Sequence, residues 1–166
     1  MARITSKAAR LRIVPANSVS WDDLRASVGA ARSFDSLCFC QRFKILKGWH
    51  SVGQEERAHR LRTQAECGYP DSDTTSGLVG YLDDEPVAWC AVEPRTAYIR
   101  LTRQVTWAGR NEDKTDEGVW AITCLITRTP HRWQGFTYQI RSAFAAAGFG
   151  EVTRPTRRRV VMRIDL

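Results

Sequence analysis

Apolar positions recur along this chain in two rhythms, one near two residues and one near 3.6, and together they divide it into elements. Leu11 to Val14 reads as a short first strand ended by Pro15. Ser20 stands where a helix N-cap belongs, with Asp23 three residues on in a capping-box arrangement. Behind it Trp21, Leu24, Val28 and Ala31 fall on one helical face. Ser33 to Trp49 has no clean period and mixes Phe34, Leu37, Phe39, Phe43, Ile45, Leu46 and Trp49 with polar residues. Such an aromatic-rich stretch can wall a pocket, although core packing is the commoner use. Gln54 to Cys67 returns to helical spacing, with Ala58, Leu61 and Ala65 inward, and Gly68, Tyr69 and Pro70 end it. Asp71 to Ser76 is a polar loop. Gly77 to Leu82 and Pro86 to Val92 then read as two strands joined at Asp83-Asp84-Glu85, a hairpin with a short acidic turn.

After Pro94-Arg95, the pattern predicts a short helix over Ala97 to Thr102 and a loop from Trp107 to Glu117. The most apolar stretch follows, Val119 to Ile126, and reads as a strand. A polar break from Thr127 to His131 leads into Arg132-Trp133-Gln134-Gly135-Phe136-Thr137. There a second helical period begins, with Trp133, Phe136, Ile140, Ala143 and Ala147 at three- and four-residue intervals. Gly148 suits the residue just past a helix end, and Phe149 suits packing back onto it. Glu151 to Val152 and Val160 to Ile164 read as two last strands, with a turn at Pro155-Thr156-Arg157-Arg158. The elements predict one domain over residues 1–166, of α/β (α+β) class, with a mixed, mainly antiparallel central sheet flanked by helices. A strand that ends in a glycine-bearing turn at a helix start is also an anion site, because free N–H groups and the helix dipole point the same way.

Composition changes this picture little. Hydrophobic residues make up 43% and charged residues 26% of the 166, enough apolar material for one core. No apolar run approaches the roughly 18 to 20 residues of a membrane span. Met1 to Arg10 is basic and lacks the apolar segment of a secretion signal, so the expected location is the cytoplasm, with no membrane partner. The net charge of +7 favours acidic partners: nucleic acid, anionic lipid or a phosphorylated small molecule. Five cysteines, an odd number without a secretion signal, argue against a disulfide framework. Cys38-Phe39-Cys40 is too tightly spaced for a zinc knuckle, even with His50 and Cys67 in view, and no metal is expected. Cys90 and Cys124 sit in apolar strand patterns where a thiol acts as a small hydrophobe.

The order strand, helix, helix, hairpin, strand, glycine turn, helix resembles the GNAT superfamily of acyl-CoA N-acyltransferases. The stretch from Gly77 to Trp89 is similar to that family's second and third strands, and Arg132-x-x-Gly135-x-Thr137 is similar to its pyrophosphate signature, with threonine where glycine or alanine is usual. Gly148-Phe149 followed by Glu151-Val152 resembles the family's entry to its last strands. The resemblance implies acetyl-CoA as co-substrate and N-acetyl transfer to a small-molecule or protein amine. It implies that Leu125, Ile126 and Thr127 offer backbone groups to the pantetheine arm. It implies that Arg132, Trp133, Gln134, Gly135, Phe136 and Thr137 wrap the pyrophosphate with main-chain N–H groups, Gly135 allowing close approach and Arg132 adding charge.

One departure matters. The family has a fifth strand and a further helix after the pyrophosphate helix. These need about 25 residues, and only Tyr138 to Ala147 separates the signature from Gly148-Phe149. The expectation is therefore a shortened fold without a separate fifth strand and helix. Glu151 to Thr153, or a strand of a second chain in a homodimer, would stand in for the missing one. The catalytic residues are not assigned. Glu93 is the best-placed carboxylate for a base, set against the commoner role of a solvated strand end. Tyr138 carries a phenol that could protonate a leaving thiolate, but it lies on the first helix, whereas the family tyrosine for that job comes from the later one; His131 and Cys124 have duller uses, exposure and burial. Two other readings stay open. One is a degenerate acyl-CoA-binding or partner-binding protein without activity. The other is a basic nucleic-acid-binding module carried by Arg154, Arg157, Arg158, Arg159 and Arg163, although no nucleic-acid motif accompanies them.

Overall fold

The computed structural model of the chain describes residues 10–29, 39–103, 113–128, 144–156 and 159–164. Strand β1 (Leu11–Pro15) leads through a 3₁₀ turn into helix α1 (Trp21–Gly29), and helix α2 spans Gln54–Ala65. Strands β2 (Gly77–Leu82) and β3 (Glu85–Pro94) follow, then the short helix α3 (Ile99–Arg103) and strand β4 (Trp120–Thr127). Strands β5 (Gly150–Thr156) and β6 (Arg159–Arg163) close the described chain.

β1 to β4 form one antiparallel sheet in sequence order, so each strand pairs with its successor in the chain. The expected hairpin is there: Leu82 faces Glu85 across a two-residue turn, and Asp83 takes the left-handed conformation (φ 55°). Asp residues tolerate that region better than most, which suits this turn type. Asp83 also ties the turn to β1, since its amide donates to the Arg10 carbonyl and its carboxylate accepts from the Arg10 amide. Among the described residues β5 and β6 pair only with each other, in a two-stranded sheet. The idea that Glu151 to Thr153 replaces a fifth strand beside β4 finds no strand pairing among the described residues.

One face of the main sheet carries the core. Val79 and Tyr81 of β2 and Trp89 and Ala91 of β3 alternate inward, as a period of two requires. They meet Leu24 and Val28 of α1 and Ala58, Leu61 and Ala65 of α2. Leu24 and Leu61 are fully buried; side chains of that kind contribute about 1.5–3 kcal/mol each. Ser20 caps α1 as expected, its Oγ accepting from the Asp23 amide at 3.1 Å. The Tyr81 hydroxyl donates to Asp23 Oδ2 at 2.8 Å, so the capping box is joined to the sheet.

Two glycines are structurally required. A Cβ on Gly77 (φ 154°) would lie 2.1 Å from the Cys90 carbonyl oxygen and 2.7 Å from the Trp89 ring, so β2 starts with its backbone against β3. Gly148 (φ 92°) follows a last helical turn, and the Phe149 amide donates to the Phe144 carbonyl. The rings of Phe144 and Phe149 then meet edge to face at 5.0 Å. This is the helix end read from Gly148-Phe149.

The aperiodic stretch, from Phe39 on, is part core and part surface, with Arg42 and Leu46 exposed. Phe39, Cys40, Gln41 and Trp49 are all buried. Phe39 and Cys40 both have positive φ, which turns the chain back under the sheet.

Candidate functional site

The strand that the sequence marks as central, β4, is the last of the described strands of the main sheet. On one side it pairs with β3, with Cys90 opposite Leu125, Trp89 opposite Ile126 and Ala88 opposite Thr127. The Arg128 amide extends this ladder by donating to the Val87 carbonyl, and its guanidinium meets Glu85 at 2.6 Å. No described strand pairs with the other side of β4. The two edges of the sheet differ: β1 has five residues and bears Arg12 and Pro15, whereas β4 has eight and carries neither charge nor proline. Trp120, Ile122 and Leu125 of β4 are exposed. Among the sequence-predicted contact residues, Leu125 is exposed, Ile126 packs against the core and Thr127 is buried.

β4 also contains an irregularity. Ala91 faces Cys124 and Val92 faces Ile122, so Thr123 is an extra residue with no opposite number on β3. A bulge of this kind turns one peptide unit out of the ladder and increases local twist. Tyr98, fully buried, lies close to Thr123. Burial pushes the Tyr98 phenol well above its ordinary value and outweighs the opposing contact with Thr123, so the group stays neutral. Arg132, Trp133, Gln134, Gly135, Phe136 and Thr137, the expected pyrophosphate loop, lie outside the described residues, as do His131 and Tyr138.

Glu93 is neither a solvated strand end nor an available base. It is 9% exposed and pairs with the Lys44 ammonium at 2.5 Å. Lys44 Nζ also donates to Gln64 Oε1 at 3.0 Å and Ser76 Oγ at 3.2 Å, so the ammonium has two hydrogen-bond acceptors beside its ion pair. Gln41 joins the same network through Gln64 at 2.9 Å. The cluster links the loop before α2, α2 itself, the entry to β2 and the end of β3. A buried carboxylate committed to a buried cation has poor access to a substrate proton. The sequence hid this pair, because nothing local to either residue announces the other.

Two of the thiols are shifted away from the reactive thiolate form. Burial raises the Cys90 thiol to about 11 and raises Cys67 as well, despite Arg62 nearby. Cys40 accepts a hydrogen bond from the Trp89 indole at 2.8 Å in the core, and Cys38 lies outside the described residues. Among the described residues no group of three or more His, Cys, Asp or Glu could hold a metal ion, and no helix is long and apolar enough to cross a membrane.

Comparison with protein families, with curated proteins and with solved structures finds no match to this chain.

Proposed function

We propose that the chain is an acetyl-CoA-dependent N-acetyltransferase acting on an amine, built on a shortened GNAT-like fold. The observation that carries this reading is β4: the last strand of an antiparallel β1-β2-β3-β4 run, with no described strand on its other edge and a bulge at Thr123. Two helices between the first two strands, and the tight β2–β3 hairpin, agree with the element order of the resemblance. The Arg132-x-x-Gly135-x-Thr137 signature follows this strand in sequence.

On this reading acetyl-CoA supplies an acyl group already activated as a thioester. The backbone of Leu125 to Thr127 holds the pantetheine arm along the open edge, as a further strand would lie. Main-chain N–H groups of Arg132 to Thr137 hold the diphosphate, with Gly135 keeping a Cβ out of the approach. An N–H of β4 polarises the acyl carbonyl, and the chain contributes chiefly by positioning the amine against it. Glu93 has no part in proton transfer, since it is held by Lys44.

Thermal stability in the presence of acetyl-CoA tests the proposal. A ligand at about 100 times its dissociation constant adds about 2.7 kcal/mol. The expected result is a rise in Tm with millimolar acetyl-CoA that disappears in Gly135→Asp, where a carboxylate would oppose the diphosphate. No rise in the parent chain would remove the enzyme reading.

A further inference from the structure

A second cluster of cations spans the loop of Lys44 and helix α2 and is built differently. Trp49 is buried although it sits between elements. The Arg42 guanidinium lies 5.9 Å from its ring centroid and the Arg57 guanidinium 5.6 Å. The ring of the exposed His50 lies 3.9 Å from the Trp49 ring. Since both arginines are tied to one indole, the separation of their guanidinium carbons cannot exceed the sum of those two distances.

Neither guanidinium has a carboxylate within ion-pair distance among the described residues. Glu56, the nearest acid in sequence to Arg57, is engaged by Arg60 at 2.7 Å, and Glu55 pairs with neither. Arg57 Nε is buried and has no hydrogen-bond acceptor. The ring face offers only a weak substitute for one. Arg128 meets Glu85 and Arg95 donates to the Asp113 carbonyl, whereas Arg12 lies over Tyr81 and Arg62 near Trp21, one guanidinium to each ring. A guanidinium resting near an aromatic ring keeps N–H groups available to other acceptors. Two such guanidinium groups beside an imidazole present a doubly positive donor set with no counter-ion among the described residues.

We propose that Arg42 and Arg57, held on Trp49 with His50 beside them, bind the phosphate of a small phosphate monoester. A phosphate monoester carries close to two negative charges at neutral pH and offers several acceptor oxygens. A single carboxylate would satisfy one fork and leave the other unmatched. The site shares no residue with the acyl-CoA reading and does not rest on it.

Calorimetric titration of the full chain at low, constant ionic strength, with glycerol phosphate and inorganic phosphate as probes, tests the site. The expected result is saturable one-to-one binding of glycerol phosphate that weakens at least about ten-fold in Arg42→Gln and in Arg57→Gln. Lys47→Gln, which removes a neighbouring exposed charge, should leave affinity within about two-fold if the site is local rather than a diffuse field. Arg42 is exposed, so Arg42→Gln retains the Tm of the parent chain and keeps the test open if Arg57→Gln folds poorly. Absence of saturable binding at millimolar glycerol phosphate, or equal losses in Lys47→Gln and Arg42→Gln, overturns the proposal. So does tighter, salt-sensitive binding of a single-stranded oligonucleotide at the same residues, which would make the partner a polymer.

Discussion

Lys44 and Arg42 lie two positions apart on one loop and are handled in opposite ways. Lys44 turns inward and gives its ammonium to Glu93, Gln64 and Ser76. Arg42 lies exposed against Trp49, which Arg57 also meets, and neither arginine has a counter-ion among the described residues. The difference follows from hydration. An ammonium is a compact, strongly hydrated charge, so burying it is tolerable only when every proton finds an acceptor. A guanidinium is more weakly hydrated and can rest its plane on an aromatic ring while its edge stays available. The first arrangement holds the fold together, and the second leaves capacity for a ligand.

The largest expected effect lies on the closed side. Glu93→Ala strands the buried Lys44 charge, and removing one partner of a buried pair costs about 3–5 kcal/mol. For a chain of this size that is a fall in Tm of about 6–20 °C. The double variant Lys44→Met with Glu93→Leu should recover much of it, since no charge is left behind. A Glu93→Ala loss below about 1 kcal/mol in urea unfolding would mean the cluster is wetter than its burial implies, and the contrast with Arg42 would dissolve.

A smaller effect involves the other polar contact that joins the core to a helix start. Burial, with the hydrogen bond to Asp23 second and the Asp23 charge third, pushes the Tyr81 phenol up to about 12. The folded state therefore holds this proton more tightly than the unfolded one, whose phenol titrates near 10. The associated stability is complete below pH 10 and is lost as pH rises through about 12. Tyr81→Phe should flatten the fall in stability between pH 10 and 12 relative to the parent chain. An unchanged slope in that window would show that Tyr81 ionises as freely as in the unfolded chain.

The smallest effect is a surface reference. Arg60 and Glu56 form an exposed pair one turn apart on α2, and such pairs contribute about 0.3–0.5 kcal/mol. Arg60→Ala should change stability by no more than that, with half or less of the change remaining at 1 M salt. A loss above about 1 kcal/mol would place Arg60 with Lys44 as a structural cation and weaken the division between buried and surface charges on this face.

Local structure was legible wherever neighbouring residues decide it. Ser20 and Asp23 announced the start of α1, Asp83-Asp84 the hairpin, and Gly148-Phe149 a helix end, because each depends on hydrogen bonds spanning a few residues. The alternation in β3 located its buried face. Glu93 was misjudged as a strand end facing solvent, since its partner comes from a distant, aperiodic loop. That loop carried no readable period because its residues are buried by turns, at Phe39 and Cys40, rather than by a regular element. For the candidate site, the sequence singled out Leu125, Ile126 and Thr127, and the open edge and the bulge at Thr123 came from strand pairing. The cation pair on Trp49 left no trace in sequence, because Arg42, Trp49 and Arg57 meet across a loop of no fixed spacing.

Taken alone, the sequence determined most of the described strands and helices, their order, and many of the positions that must be apolar, small or left-handed. These depend on backbone geometry and periodic burial, which act over a turn or a strand. Only the tertiary structure decided which charges are neutralised, which are left available, and which strand stands at an edge. Those outcomes depend on contacts between segments far apart in the chain, where the cost of desolvation selects the partner and no local pattern records the choice.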